Sequence, residues 1–253
     1  MQGFSVEVGD AVGAAPDRHA GPCALVLFGA TGDLAGRKLI PALYNLELSG
    51  ALPDGLVVVG VSRSVPEVGR WAESLHQNTM KHSRTQPLDP AVWARFAERL
   101  HTVPGDLGDA ASLEGLRALL ARLAPLTHGN ALFYLSTPSS AAEGALRALH
   151  GAGLLPRVGE GEPWRRVIVE KPFGRDLGSA TALNRAALSL IGERQLFHGL
   201  VQLTLPALLG APGNRDQARP AGLEQRVPVR VHRASLLRAD DVGSDGRWAQ
   251  RRT

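Results

Sequence analysis

Residues 25–44 read LVLFGATGDLAGRKLIPALY. The apolar run Ala24-Leu25-Val26-Leu27-Phe28 has the composition of a parallel strand buried on both faces. It stops at Gly29-Ala30-Thr31-Gly32-Asp33-Leu34-Ala35. From there Arg37-Lys38-Leu39-Ile40-Pro41-Ala42-Leu43-Tyr44 takes up a helix-like spacing. Strand, glycine turn and helix, in that order, let backbone N–H groups at a helix start face a phosphate.

Working outward, the spacing predicts a helix to about Leu48, stopped by Ser49-Gly50. The β-branched run Leu56–Val61 predicts strand two. A polar helix follows over Glu67–Lys81. A further helix opens at Asp89-Pro90 and runs to Leu100. His101–Val103 is a short third strand, ended by Pro104-Gly105-Asp106. Leu113, Leu116, Leu119, Leu120 and Leu123 lie on one face of a helix over Ser112–Leu123. Asn130–Leu135 is strand four, and Ser139–Glu143 resembles a capped helix start leading to about His150. Arg166–Val169 is strand five, before Glu170-Lys171-Pro172-Phe173-Gly174 and a helix over Asp176–Leu190. Strand–helix alternation at this spacing predicts an α/β fold, a Rossmann-like doubly wound parallel sheet. Residues 1–21 read as a flexible leader, 22–197 as the nucleotide-binding domain, and 198–253 as an irregular basic tail with no recognisable domain.

Charge follows the same division. Of 28 Lys and Arg and 24 Asp and Glu in 253 residues, 1–197 carry 19 of each sign. Residues 198–253 carry nine Arg, no Lys and five acids, so the net +4 sits in the tail. That tail has no dense basic block and no aromatic interleaving beyond Trp248, so no nucleic-acid partner is expected. No stretch reads as a secretory signal or a membrane span. The single cysteine, Cys23, permits no internal disulfide and reads as a small buried hydrophobe, so a cytoplasmic protein is expected.

Gly29, Gly32 and Ala35 are spaced G-x-x-G-x-x-A. Gly29 lets the chain turn, Gly32 lets N–H groups approach a pyrophosphate, and small Ala35 lets helix pack on strand. Strand two ends Gly60-Val61-Ser62-Arg63-Ser64, with no acid to accept from a ribose 2′-hydroxyl. Arg63 beside two hydroxyls suits the 2′-phosphate of NADP; the other reading is a solvated surface arginine. Lys171 leaves the carboxyl end of strand five, where open α/β sheets bind ligands. It could hold a substrate hydroxyl or the nicotinamide end, or simply pair with Glu170. No histidine is matched with a carboxylate as a proton acceptor, no catalytic residue is identified and no metal site is expected.

Four ordered motifs resemble glucose-6-phosphate dehydrogenases: Phe28–Tyr44, Gly60–Ser64, Phe133-Tyr134-Leu135-Ser136-Thr137-Pro138 and Ile168–Leu177. The family oxidises glucose 6-phosphate to 6-phosphogluconolactone and reduces NADP, at the entry to the pentose phosphate pathway. The resemblance implies that Gly29, Ala30, Thr31, Gly32, Asp33, Leu34 and Ala35 hold the pyrophosphate and Arg63 the 2′-phosphate. It implies that Lys171 contacts substrate and cofactor, that Pro172 positions the nicotinamide, and that Asp106 and Leu107 lie near the adenosine. Gly36 stands where the family has a basic residue. The family's Arg-Ile-Asp-His segment, which supplies substrate-phosphate contacts and the Asp–His environment of the base, does not follow Gln195-Leu196-Phe197, where the chain reads His198-Gly199-Leu200-Val201-Gln202. The large domain with the base and the dimer interface is missing too.

The expectation is a coenzyme-binding part whose C-terminal portion is truncated or frameshifted, with little or no activity alone. A frame shift in a GC-rich gene would give the abrupt arginine-only composition. The alternatives are a non-catalytic NADP-binding or regulatory module associated with a full-length enzyme, and a divergent enzyme using His198 or His232 as base.

Overall fold

A computed structural model describes residues 21–64, 66–136, 139–157, 163–170, 177–192 and 195–199. Six strands form one sheet: β1 (Cys23–Phe28), β2 (Leu56–Ser62), β3 (Leu100–Pro104), β4 (Ala131–Leu135), β5 (Arg165–Glu170) and β6 (Leu196–Gly199). Every pairing is parallel, and the order is β3-β2-β1-β4-β5-β6. Strand order reverses between β1 and β4, and the crevice at such a switch point is where open α/β sheets take ligands.

The strands form where side chains can be buried on both faces. All six residues of β1 are buried. Ala24, Val26 and Phe28 face a core shared with α4 (Glu114–Thr127), α5 (Ser139–Gly151) and α6 (Leu177–Leu190). Cys23, Leu25 and Leu27 face the opposite core, closed by α1 (Ile40–Leu48), α2 (Val68–His82) and α3 (Pro90–Ala97). Each fully buried aliphatic side chain contributes roughly 1.5–3 kcal/mol, so these two layers fix the sheet that carries the loop after β1.

Local chemistry explains the helix limits. Asp89 caps α3, its Oδ1 accepting from the N–H groups of Ala91 and Val92 at 2.8 and 3.1 Å, with Pro90 in the first turn; such a cap is worth about 1 kcal/mol. The helix expected to reach Leu100 ends at Ala97, because Leu100 is taken by the sheet beside Val58. Ser112 sits in a 3₁₀ turn, Ala111–Leu113, and α4 runs on through Pro125 to Thr127. There His128 closes the helix in the left-handed region at φ 53°.

Cys23 is fully buried, and burial pushes its thiol up to about 12, with Arg166 opposing weakly. The native thiol should therefore resist aromatic disulfide reagents at pH 8 and react once in guanidinium. Because the folded value lies above the unfolded one, this contribution to stability is intact below about pH 9. It is lost by about 1.4 kcal/mol per unit as pH rises toward the native value. Denaturant melts across that window, compared with Cys23→Ala, measure it.

The strand β6 has no counterpart in the sequence reading. Four residues, of which only Leu196 and Phe197 are apolar, are too few for a periodic signal. It pairs with β5 from Val167–Leu196 to Glu170–Gly199, so its last two residues lie in the stretch of changed composition that begins at 198. No helix among the described residues is long and apolar enough to cross a membrane.

Candidate functional site

The loop after β1 is held from beneath by backbone and side chains. Gly29 takes φ 78°, in the left-handed region where a side chain is strained. The N–H groups of Gly29 and Ala30 both donate to the Val61 carbonyl, at 3.0 and 3.3 Å. The Gly32 N–H donates to the Gly29 carbonyl at 2.8 Å, closing the turn. A Cβ on Gly29 would lie 2.6 Å from Ser136 Oγ, and one on Gly32 3.0 Å from the Gly29 oxygen. Ser136 follows β4, and its hydroxyl donates to the Phe28 carbonyl. The switch point is therefore stitched across both strands.

What remains is a set of outward donors. Thr31, Gly32 and Asp33 are exposed. Among the described residues, the N–H groups of Thr31, Asp33 and Leu34 have no acceptor. They are the orphan donors of a helix start, with the positive end of the helix behind them. The glycine cradle and these donors fit a dinucleotide pyrophosphate, which brings a diffuse double negative charge to such a position. Asp33 pairs with Arg37 at 2.6 Å, one helical turn on. The pair is exposed and adds little stability, but it offsets a carboxylate that would otherwise oppose an anion.

A π-helical turn, Ala35–Leu39, follows the loop and precedes Pro41. Pro41 has no N–H to donate, and its ring would crowd the carbonyl four residues back in a regular helix; the wider turn relieves both. Gly36 lies buried in this turn, and a Cβ there would meet Asn78 Nδ2 of α2 at 3.1 Å. A basic side chain at 36 would have to displace Asn78, so its absence matches the close approach of α2.

Arg63 is exposed, two residues past the Val61 carbonyl that holds the loop, and no carboxylate among the described residues pairs with it. The hydroxyl of Ser62, just before it, is buried without a hydrogen-bond partner among the described residues. The end of β3 is tied to the same place, since the Gly105 N–H donates to the Ser62 carbonyl at 3.1 Å. Asp106 is engaged locally: its Oδ1 accepts from the Gly108 N–H at 2.8 Å, and its own N–H donates to Ser112 Oγ at 2.8 Å. Leu107 packs on the sheet core. The loop, Arg63, Asp106 and Leu107 thus share the carboxyl end of the sheet. Lys171 and Pro172 lie outside the described residues; β5 ends at Glu170, immediately before them.

Three features of this end went unread in the sequence. Trp71 in α2 donates its indole N–H to the Ala30 carbonyl at 3.2 Å. Ser136 backs Gly29. Buried Tyr134 donates its hydroxyl to Glu170, and burial, aided by that carboxylate, raises the phenol far above its ordinary range. All three pairs join residues distant in sequence, so no local pattern announces them. Among the described residues no group of three or more His, Cys, Asp or Glu is placed to hold a metal ion.

Comparison with known proteins agrees with this fold. Residues 26–198 match the family model of the glucose-6-phosphate dehydrogenase NAD binding domain. The chain is 37% identical over 235 residues to glucose-6-phosphate 1-dehydrogenase 2 of Mycobacterium tuberculosis, covering 91% of this chain and 44% of that protein. It is 38% identical over 180 residues to the glucose-6-phosphate 1-dehydrogenase of Chlamydia pneumoniae, covering 70% and 35%. The chain thus spans less than half the length of these curated relatives. Among solved structures, a glucose-6-phosphate dehydrogenase in complex with glucose 6-phosphate superposes with TM-score 0.59 at 27% identity over 70% of this chain and 36% of that one. The Mycobacterium avium enzyme gives TM-score 0.57 at 31% identity, with the same coverage. Since residues 1–197 are little more than three-quarters of the chain, a 91% alignment reaches well into residues 198–253. A Rossmann sheet with its glycine turn at the switch point, matched along most of its length, makes this chain a member of the glucose-6-phosphate dehydrogenase family, in the part that corresponds to its NAD(P)-binding domain.

Proposed function

We propose that this chain binds NADP as the coenzyme-binding part of a glucose-6-phosphate dehydrogenase and does not oxidise glucose 6-phosphate by itself. The observation that carries the reading is a set of loop N–H groups without an acceptor among the described residues, at the same carboxyl end of the sheet as exposed Arg63, which has no carboxylate partner among them. In this reading Gly29, Ala30, Thr31, Gly32, Asp33, Leu34 and Ala35 surround the pyrophosphate, its oxygens accepting from the free N–H groups. Arg63 forks onto the 2′-phosphate. Asp106 and Leu107 border the adenosine through backbone and apolar surface, since the Asp106 carboxylate is already used. Lys171, next in sequence to the end of β5, serves both substrate and cofactor. The nicotinamide, when bound, supplies the hydride acceptor.

Oxidising a sugar hydroxyl also needs a group to take its proton and a grip on the substrate phosphate. The Arg-Ile-Asp-His segment that provides the substrate-phosphate contacts and the Asp–His environment of the base in the family does not occur in this sequence. A missing general base alone costs about 10²–10⁴ in rate. The reach of the M. tuberculosis alignment into residues 198–253 favours a diverged continuation over a frame lost once and never regained.

Incubating the purified chain with NADP and glucose 6-phosphate tests both halves. The expected result is a raised melting temperature with NADP and no NADPH formed above the blank. Turnover would refute the cofactor-only reading, and no thermal shift at saturating NADP would refute the binding site.

A further inference from the structure

We infer that Trp71 is the positioning residue of the glycine loop, an inference that rests on the dinucleotide reading above. Trp71 sits in α2, 41 residues along the chain from Ala30, with 2% of its surface exposed. Its indole N–H donates to the Ala30 carbonyl at 3.2 Å. A trans peptide points its carbonyl and its N–H in opposite directions. With the Ala30 oxygen drawn inward to the indole, the N–H of the same peptide, that of Thr31, is turned outward.

The rest of the turn is already committed. The N–H groups of Gly29 and Ala30 go to Val61, and that of Gly32 goes to Gly29. Within Gly29–Gly32, Thr31 is thus the donor left free among the described residues, ahead of the free N–H groups of Asp33 and Leu34 at the helix start, and Trp71 sets its direction. A flipped Ala30–Thr31 peptide would aim a carbonyl at the bound anion. It would also leave a buried indole N–H without an acceptor, which is unfavourable. The two groups therefore hold one another in the binding orientation before any ligand arrives.

The strand beneath is shaped for this contact. β2 reads Leu-Val-Val-Val-Gly-Val-Ser, and its one glycine, Gly60, lies under the indole. A Cβ at Gly60 would come within 2.7 Å of the Trp71 ring and 2.9 Å of the Ala30 Cβ. A glycine inside an otherwise β-branched strand marks a close approach, and here it is the approach of the indole to the underside of the loop.

The test compares Trp71→Phe with replacement of Trp71 by benzothienylalanine, which keeps the indole shape and lacks the N–H. Each protein is titrated with NADP and with adenosine 2′-monophosphate, which carries the Arg63 end of the ligand without a pyrophosphate. Both replacements should weaken NADP about five-fold and leave adenosine 2′-monophosphate unchanged, with the benzothienylalanine protein melting as the parent does. NADP binding as tight with benzothienylalanine as with tryptophan would overturn the inference, because ring bulk alone would then suffice. A parallel loss of both ligands would overturn it as well, since that is the mark of a general structural role. If the unmodified chain binds no NADP, the dinucleotide reading itself falls and this inference falls with it.

Discussion

Gly29→Val is expected to weaken dinucleotide binding by at least about a hundredfold and to lower stability by about 2–4 kcal/mol. Two independent terms act on the same atom. The backbone at Gly29 holds φ 78°, which a β-branched residue adopts only with strain. The new Cβ would also sit 2.6 Å from Ser136 Oγ, well inside contact distance. Ser136 cannot simply swing away, because its hydroxyl is bonded to the Phe28 carbonyl at the end of β1. The turn must move instead. Moving it breaks the two bonds to Val61 that fix where Thr31 and the helix start face. Gly50 provides the control. It has φ 67° with nothing within 4 Å of a Cβ, so Gly50→Val carries the strain without the clash. That variant should lose stability and keep its affinity. Calorimetric titration of both variants, under conditions where melts show them folded, separates the two effects.

Arg63→Ala is expected to remove the preference for NADP over NAD. NADP should weaken by about ten- to a hundredfold, the range for losing hydrogen bonds to a charged group, and NAD should be unchanged. The side chain is exposed and makes no ion pair among the described residues, so its loss should leave the melting temperature where it was. Arg63→Lys should recover only part of the affinity, because an ammonium keeps the charge and loses the planar fork. Added salt should weaken NADP more than NAD in the parent chain and weaken both alike in Arg63→Ala. An exposed surface arginine, the other reading of this residue, would show none of these differences.

The fold was legible because its signals are local. Three of the six strands, β1, β2 and β4, are runs of mostly apolar residues buried along nearly their whole length, and a fully buried parallel strand has no other pattern to show. Asp89-Pro90 announced the start of α3 because a cap acts within three residues. β6 was not legible, since its four residues become a strand only through pairing with β5. Helix ends were misjudged where tertiary contacts claimed a residue: Leu100 belongs to β3 although it continues the apolar spacing of α3. The π turn had a signal in Pro41 that helical periodicity alone hides.

The site divides in the same way. Glycine spacing and its place after β1 identified the turn, and the missing acid after β2 drew attention to Arg63. What supports the turn comes from other elements. Trp71 reaches Ala30 from α2 and Ser136 reaches Phe28 from beyond β4, and neither pairing leaves a trace in local sequence. Glu170 was read against its neighbour Lys171, and the structure gives it Tyr134, 36 residues away. Such contacts are set by strand register, which residue spacing does not encode.

Calorimetric titration of the purified chain with NADP, and separately with NAD, tests most directly whether the coenzyme half of the site works by itself. One NADP per chain, held more tightly than NAD, is the expected result. Binding of neither nucleotide, or equal binding of both, would contradict it.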